Sequence, residues 1–152
     1  MTNKNRVNVF FYGGYMNFDI LASLGIGERE YHVVQLPGYQ LTIGSTANVV
    51  RSGLERVFGI VTQLTHDELE TLYGVEAQAK LGAQYMPEPV LVITSEGDIL
   101  PSLCYIASDL VAGVPSAAYI DTILSAARAY NLPQSYVQHV ESFKGDFGSS
   151  EA

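Results

Sequence analysis

Val7-Asn8-Val9-Phe10-Phe11-Tyr12-Gly13-Gly14-Tyr15-Met16 is the stretch on which the fold turns. Val7 to Tyr12 reads as a central strand, built on the short apolar run Val9-Phe10-Phe11-Tyr12. The strand ends at a Tyr-Gly-Gly turn and passes into the amphipathic segment Asn17 to Leu24. Two glycines at a strand-to-helix junction let backbone N–H groups point outward and let a ligand come close to the main chain. A loop of that kind holds a carboxylate or a developing oxyanion without any charged side chain. The same junction also serves as a plain turn, so the rest of the chain has to decide between the two.

Working outward, Tyr31 to Ile43 is a β stretch broken at Pro37-Gly38, and Arg56 to Leu64 is a third strand carrying Gly59, a point of close approach or a bulge. Thr65-His66-Asp67-Glu68 fits a capping box, with Leu69, Leu72 and Tyr73 as the apolar face of the short helix it starts. Val90 to Thr94 and Ile99 to Ile106 form a hairpin across Glu96-Gly97-Asp98. Pro115-Ser116 opens a helix to Tyr130, and Asn131-Leu132-Pro133 separates it from a last helix with Tyr136, Val140 and Phe143 at helical spacing. Strands that pair locally, with helices gathered toward the C-terminus, argue for an α+β domain over a doubly wound sheet. There is no GxGxxG or Walker loop.

The length of 152 residues suits one domain, expected over 1–144, with a polar Gly/Ser-rich flexible tail over 145–152. Eight Lys+Arg stand against 16 Asp+Glu, a formal charge of −8. With no basic patch, nucleic acid and anionic membranes are poor partners, and an acidic ligand has to be held by local dipoles or a few positive side chains. Cys104 is the sole cysteine and sits in an apolar run, so neither a disulfide nor a cysteine metal site is expected. His32, His66 and His139 are too scattered for a metal pair. No run has signal-peptide character or transmembrane length, which makes the cytoplasm the expected location. A charged fraction of only 16% leaves a monomer or a weak dimer as the expectation.

Two carboxylates stand out as acid–base candidates. Glu76 lies just past the expected helix stop at Gly74, where a carboxylate can project into a cleft and have its pKa raised by burial. Glu88 sits between Pro87 and Pro89, which fix its backbone and exclude a regular ladder there. Each also has a plain reading, as a solvated loop glutamate and as an edge charge that discourages aggregation. Ser45 and Ser52 have no histidine at telling spacing, and Arg51 offers a clamp for an acidic ligand, although a lone Arg is more often a surface residue. Packing accounts for Tyr119 and Tyr136.

Taken in order, these elements resemble the γ-glutamylcyclotransferase-like family, which includes AIG2-like and butirosin-pathway cyclotransferase-like proteins. Tyr12-Gly13-Gly14-Tyr15-Met16 stands where the family has its strand-end loop, and Val57-Phe58-Gly59-Ile60-Val61 matches its second strand motif. Leu69-x-x-Leu72 is followed by Glu76 at the family's glutamate offset, and Tyr85 stands where a Tyr opens the next strand. The closing helices are similar from Pro115-Ser116-x-x-Tyr119 through Asn131-Leu132-Pro133-x-x-Tyr136. The chain departs at Gly14 and Tyr15, where Ser and Asn are usual, and at Tyr73 and Ala77, where Asp and Gly are usual. The resemblance implies a small mixed β-barrel with flanking helices. It also implies a cofactor-independent enzyme that cyclises a small-molecule γ-glutamyl substrate to 5-oxoproline. In that reading Glu76 is the acid–base residue with Glu88 in reserve, and Tyr12, Gly13, Gly14, Tyr15, Met16 and Tyr85 bind the substrate. A non-catalytic module that binds a small metabolite on the same fold is the alternative.

Overall fold

Five strands close on themselves in the order β1-β3-β2-β4-β5. They are β1 (Arg6–Phe11), β2 (Tyr31–Ile43), β3 (Ala47–Thr65), β4 (Tyr85–Thr94) and β5 (Ile99–Ala107). All neighbours are antiparallel except β1 and β5, which run parallel and complete the barrel. The architecture is seen in a computed structural model describing residues 6–81, 83–108 and 111–151, the side chains of 145–151 excepted.

Side chains alternate between faces along a strand, so the register sorts inside from outside. Phe10 pairs with Val61 and with Cys104, and Cys104 pairs with Glu88. Phe10, Val61 and Cys104 share the inward face with Val34, Val57 and Val92, all at most 3% exposed, and with the half-buried Glu88. The outward face of β1 and β3, with Val9, Phe11 and Ile60, is equally buried because helices cover it. Tyr136 of the last helix lies against Phe58 there, ring centroids 5.1 Å apart. Coverage on both sides is why Val9 to Tyr12 reads as one apolar run rather than an alternation.

The helices are α1 (Phe18–Ser23), α2 (His66–Tyr73), α3 (Val75–Leu81), α4 (Ala117–Ala129) and α5 (Gln134–Glu151). Asn17 caps α1, Ser116 caps α4, and Thr65 with Glu68 closes the capping box of α2. The backbone is helical to Glu151 where a loose tail is expected, and the side chains of 145–151 lie outside the described residues.

Two expectations need correction. The chain does not stay in a loop after Gly74. Gln78 N–H bonds back to Gly74 O at 2.9 Å and α3 begins at once, carrying Glu76 in its first turn. Nor do Pro87 and Pro89 interrupt a ladder: β4 begins at Tyr85 and stays in register with β5 from Tyr85↔Ala107 to Ile93↔Ile99. The reason lies in the pleat phase. Tyr85 N–H and C=O are both taken by the Gln78 side chain, at 2.6 and 2.9 Å, so the Tyr85–Ala107 pair is a non-hydrogen-bonded one. Two and four residues on, Pro87 and Pro89 repeat that phase, and their missing N–H groups face away from β5.

Candidate functional site

Where β1 ends, the chain makes a single 3₁₀ turn over Gly14–Met16, with Met16 N–H bonded to Gly13 O at 3.0 Å and Asn17 N–H to Gly14 O at 3.1 Å. The turn forms one wall of a cavity of about 70 Å³ at this end of the barrel. Tyr12, Gly13, Gly14, Tyr15 and Tyr85 all line it, as do Thr46, Ala47, Tyr73, Leu81 and Tyr119. Of the expected substrate contacts, Met16 is the exception. Its side chain is fully buried in the core, and its N–H is committed to Gly13 O.

The tip of the β2–β3 hairpin folds over the barrel to reach this wall. Tyr85 hydroxyl donates to Ala47 O at 2.5 Å and lies 2.8 Å from Thr46 Oγ1. Asn48 is fully buried and grips β5 through both polar groups of Ala107, at 2.9 and 3.2 Å. Gln78 and Asn48 therefore act on Tyr85 and Ala107 as extra strand residues would, satisfying the last backbone groups of β4 and β5 where the ladder ends.

Tyr119, on α4, holds the glycine turn against the hairpin. Its hydroxyl accepts Ala47 N–H at 3.0 Å, and its ring is so near the turn that a Cβ at Gly14 would stand 3.2 Å from it. This contact gives a physical reason for glycine at position 14, where the family's usual side chain would meet the ring. Tyr12 hydroxyl donates to Tyr105 O at 2.7 Å and Tyr15 hydroxyl to Leu72 O at 3.1 Å. Tyr73 stacks on Tyr105 with centroids 3.8 Å apart and planes 4° from parallel, which shapes the rim.

Burial raises all of these hydroxyls. Tyr12 and Tyr73 stand well above 10, Tyr15 and Tyr85 are raised, and Tyr119 is pushed up to about 12. They stay protonated at neutral pH and act as donors, not as bases. Tyr12, Tyr15 and Tyr85 already give their protons to carbonyls, whereas Tyr119 has no acceptor for its own among the described residues. A ligand oxygen in the cavity is thus offered the Tyr119 hydroxyl.

Neither candidate carboxylate lines this cavity. Glu76 is exposed on α3, in a surface groove with Glu70 and Lys80 that meets the cavity at Tyr15 and Leu81. Glu88 is half-buried on the inward face of β4, opposite Cys104. Burial, and then the Glu88 charge, push the Cys104 thiol up, so Cys104 is no nucleophile. Among the described residues no three His, Cys, Asp or Glu side chains gather as a metal site.

Sequence reasoning missed Thr46, Ala47, Tyr73, Leu81, Asn48 and Gln78, and treated Tyr119 as packing. Only Tyr119 left a usable signal, standing three residues after the helix cap Ser116 as in the family's closing segment.

A family model described as AIG2-like family matches residues 56–140. No curated protein matches the sequence. Among solved structures, one titled gamma-glutamyl cyclotransferase superposes with a TM-score of 0.75 at 20% identity, over 90% of this chain and 86% of that one. An uncharacterised human protein gives 0.75 at 20%, over 91% and 88%. A yeast cyclotransferase titled as specific to glutathione gives 0.66 at 9%, over 95% and 97%. At these identities the likeness is one of fold. No helix among the described residues is long and apolar enough to cross a membrane.

Proposed function

Because the chain belongs to the AIG2-like family, we propose that it acts as a cyclotransferase on a γ-glutamyl amide or γ-glutamyl amino acid. The observation that carries this reading is the cavity where β1 turns through Gly13-Gly14, walled by protonated tyrosines. In the reaction the substrate α-amine attacks its own γ-carbonyl carbon. A new C–N bond closes the five-membered ring of 5-oxoproline, the original amide C–N bond breaks, and the departing nitrogen takes up the proton that the amine loses. No water is consumed.

The chain needs two things for this. One is a fixed fold of the substrate that brings amine to carbonyl, worth up to ~7–11 kcal/mol of barrier in ideal intramolecular systems. The Tyr119 hydroxyl and the front of the glycine turn serve the carboxylate or the oxyanion. The other is a base for the ammonium proton, worth roughly 10²–10⁴-fold. Glu76 has that role in this reading, with Glu88 in reserve.

Both the base and the space require α3 to shift. The cavity of about 70 Å³ is well below the ~300 Å³ at which ligand pockets usually begin. Leu81 of α3 closes one side of it, and α3 has no buried residue to hold it in place. Movement of α3 about the Gln78 clasp enlarges the cavity and carries Glu76 toward it from the groove that already meets it at Tyr15.

The test is 5-oxoproline release from a panel of γ-glutamyl amino acids, γ-glutamyl amines and glutathione, beside the Glu76→Gln variant. Release that vanishes in a folded variant supports the reading. Release that persists passes the role to Glu88, and release lost only in Glu88→Gln would settle it there. A second reading, a small-metabolite-binding module, draws on the lack of any carboxylate in the cavity wall. It predicts ligand-dependent thermal stabilisation with no product from any member of the panel.

A further inference from the structure

The barrel has a second mouth, at the end where β1 and β2 begin and β3 ends. It opens on a groove of about 540 Å³, within the ~300–1,000 Å³ range of ordinary ligand pockets. Strand phase decides which side chains face it. Arg6, Asn8 and Phe10 share one face of β1, and Val61 and Gln63 lie on the matching face of β3. His32 pairs with Val61. The apolar floor of the barrel thus gives way to a polar rim of Arg6, Asn8, Gln63, His32 and Arg29.

Two of the chain's eight cations meet there, and they are not equivalent. Arg29 is fully engaged. Its Nη1 and Nη2 grip Glu68 bidentately at 2.7 and 2.9 Å, Nη1 also reaches Gln63 O at 3.2 Å, and Nε bonds Gly27 O at 2.9 Å. Arg6 is half-buried, makes no ion pair within 4 Å among the described residues, and has a buried Nε–H with no acceptor. The Glu68 carboxylate is bonded to Arg29 and feels the Arg6 charge without pairing with it, while Asn8 and Gln63 bond each other at 3.2 Å and stand as a neutral polar wall. The opposing charge is Glu30, exposed on the same rim.

We infer that this mouth binds a small oxyanion, a phosphate or carboxylate group, with the Arg6 guanidinium as its principal contact. Arg6 lines the groove with no ion pair among the described residues, and the planar fork of a guanidinium donates to phosphate and carboxylate oxygens alike. The site lies at the opposite end of the barrel from Gly13-Gly14, so it is independent of cyclotransferase chemistry. The net charge of −8 disfavours anions near the surface at large, so a saturable anion site has to come from local geometry.

The full chain is titrated with inorganic phosphate and, separately, with succinate at constant ionic strength. Binding is followed by calorimetry and by amide chemical shifts, in wild type, Arg6→Gln and Glu30→Gln. The expected result is saturable binding of at least one anion, with shifts at Arg6, Asn8, His32 and Gln63. Which anion binds tells a phosphate site from a carboxylate one. Arg6→Gln should weaken binding by about tenfold or more, since it removes a charge-assisted bond. Removal of the rim charge in Glu30→Gln should tighten it by about two- to fivefold. The two variants move affinity in opposite directions, so a loss caused by misfolding of Arg6→Gln is distinguishable. Absence of saturable binding in wild type, unchanged affinity in folded Arg6→Gln, unchanged or weaker affinity in Glu30→Gln, or shifts confined to Gly13–Tyr15 would each overturn the inference.

Discussion

Gly59 and Gly53 lie six residues apart on the same strand, and replacing each by alanine should have opposite consequences. At Gly59 a Cβ would stand 2.1 Å from Phe11 O, 3.1 Å from Phe11 C and 3.0 Å from a ring carbon of Phe10. Ordinary contact begins at 3.4 Å, so β1 and β3 must part by more than 1 Å at the point where Phe11 pairs with Ile60. The obstacle is backbone, and Phe10 and Phe11 are each only 1% exposed, so no side chain can swing away. Overpacking of this kind costs about 1–3 kcal/mol. Loosened ladder bonds add about 0.5–1.5 kcal/mol each. We expect Gly59→Ala to lose about 3 kcal/mol, a large part of the ~5–15 kcal/mol that holds a domain together. At Gly53 an added Cβ meets nothing within 4 Å, and the residue is exposed. Gly53→Ala should be neutral or stabilising by up to ~1 kcal/mol, through the lower entropy of its unfolded chain. Equilibrium urea unfolding of both variants, at unchanged m-value, measures the pair. A Gly59→Ala protein within about 1 kcal/mol of wild type would refute the reasoning, as would equal damage at both sites.

Gln78→Ala removes the three bonds, to Tyr73 O, Tyr85 O and Tyr85 N–H, by which the side chain ties α3 to β4. It should cost about 2–3 kcal/mol at most, and amide exchange at Tyr85 and through α3 should quicken while that of β1 stays slow; uniform exchange changes would mean that α3 has no local opening of its own. Glu68 carries the pH dependence at the second mouth: its bonds to Arg29, with help from the Thr65 N–H and from Arg6, hold its carboxyl below the ordinary 4.5. The folded chain therefore binds that proton more weakly than the unfolded one, and the stabilisation is complete above 4.5 and fades as pH falls through the folded value. Glu68→Gln, which keeps an acceptor for Thr65 N–H, should be less stable than wild type at pH 7, with the gap closing below pH 4.5; a gap independent of pH would assign the loss to packing instead.

How much of this was legible in the sequence follows from the range of the interactions. β1, the capping box at Thr65 and Glu68, and the capped start of α4 are local patterns, and they stand where the residues place them. α3 is illegible by the same rule: Val75–Leu81 buries nothing, so it has no apolar stripe to read, and Gly74 does end α2 as expected. What no local pattern conveys is that the next helix starts at once. The early start of β4 is hidden by Pro87 and Pro89, which are harmless only in a pleat phase fixed by Gln78 and by the Tyr85↔Ala107 register. Tyr119 reaches Ala47 across 72 residues, so its part in the cavity wall depends on the closed barrel and not on its neighbours in sequence.

The same reasoning explains why the carboxylate is the weakest part of any reading from sequence. Glu76 has the family's offset from Leu72, and that offset counts residues along the chain. Its placement also depends on the step at Gly74, whose φ of −70° and ψ of −177° end α2 in extended backbone before α3 begins. A different ψ at that residue would send the same seven residues another way and present Glu76 to another wall. The tyrosines of the cavity are anchored by hydrogen bonds to strand and helix backbone, whereas Glu76 rides on a helix held by a single glutamine clasp and by Leu81. The tyrosine wall of the cavity is therefore built into the barrel, whereas the glutamate proposed as the base rides on a helix that buries no residue.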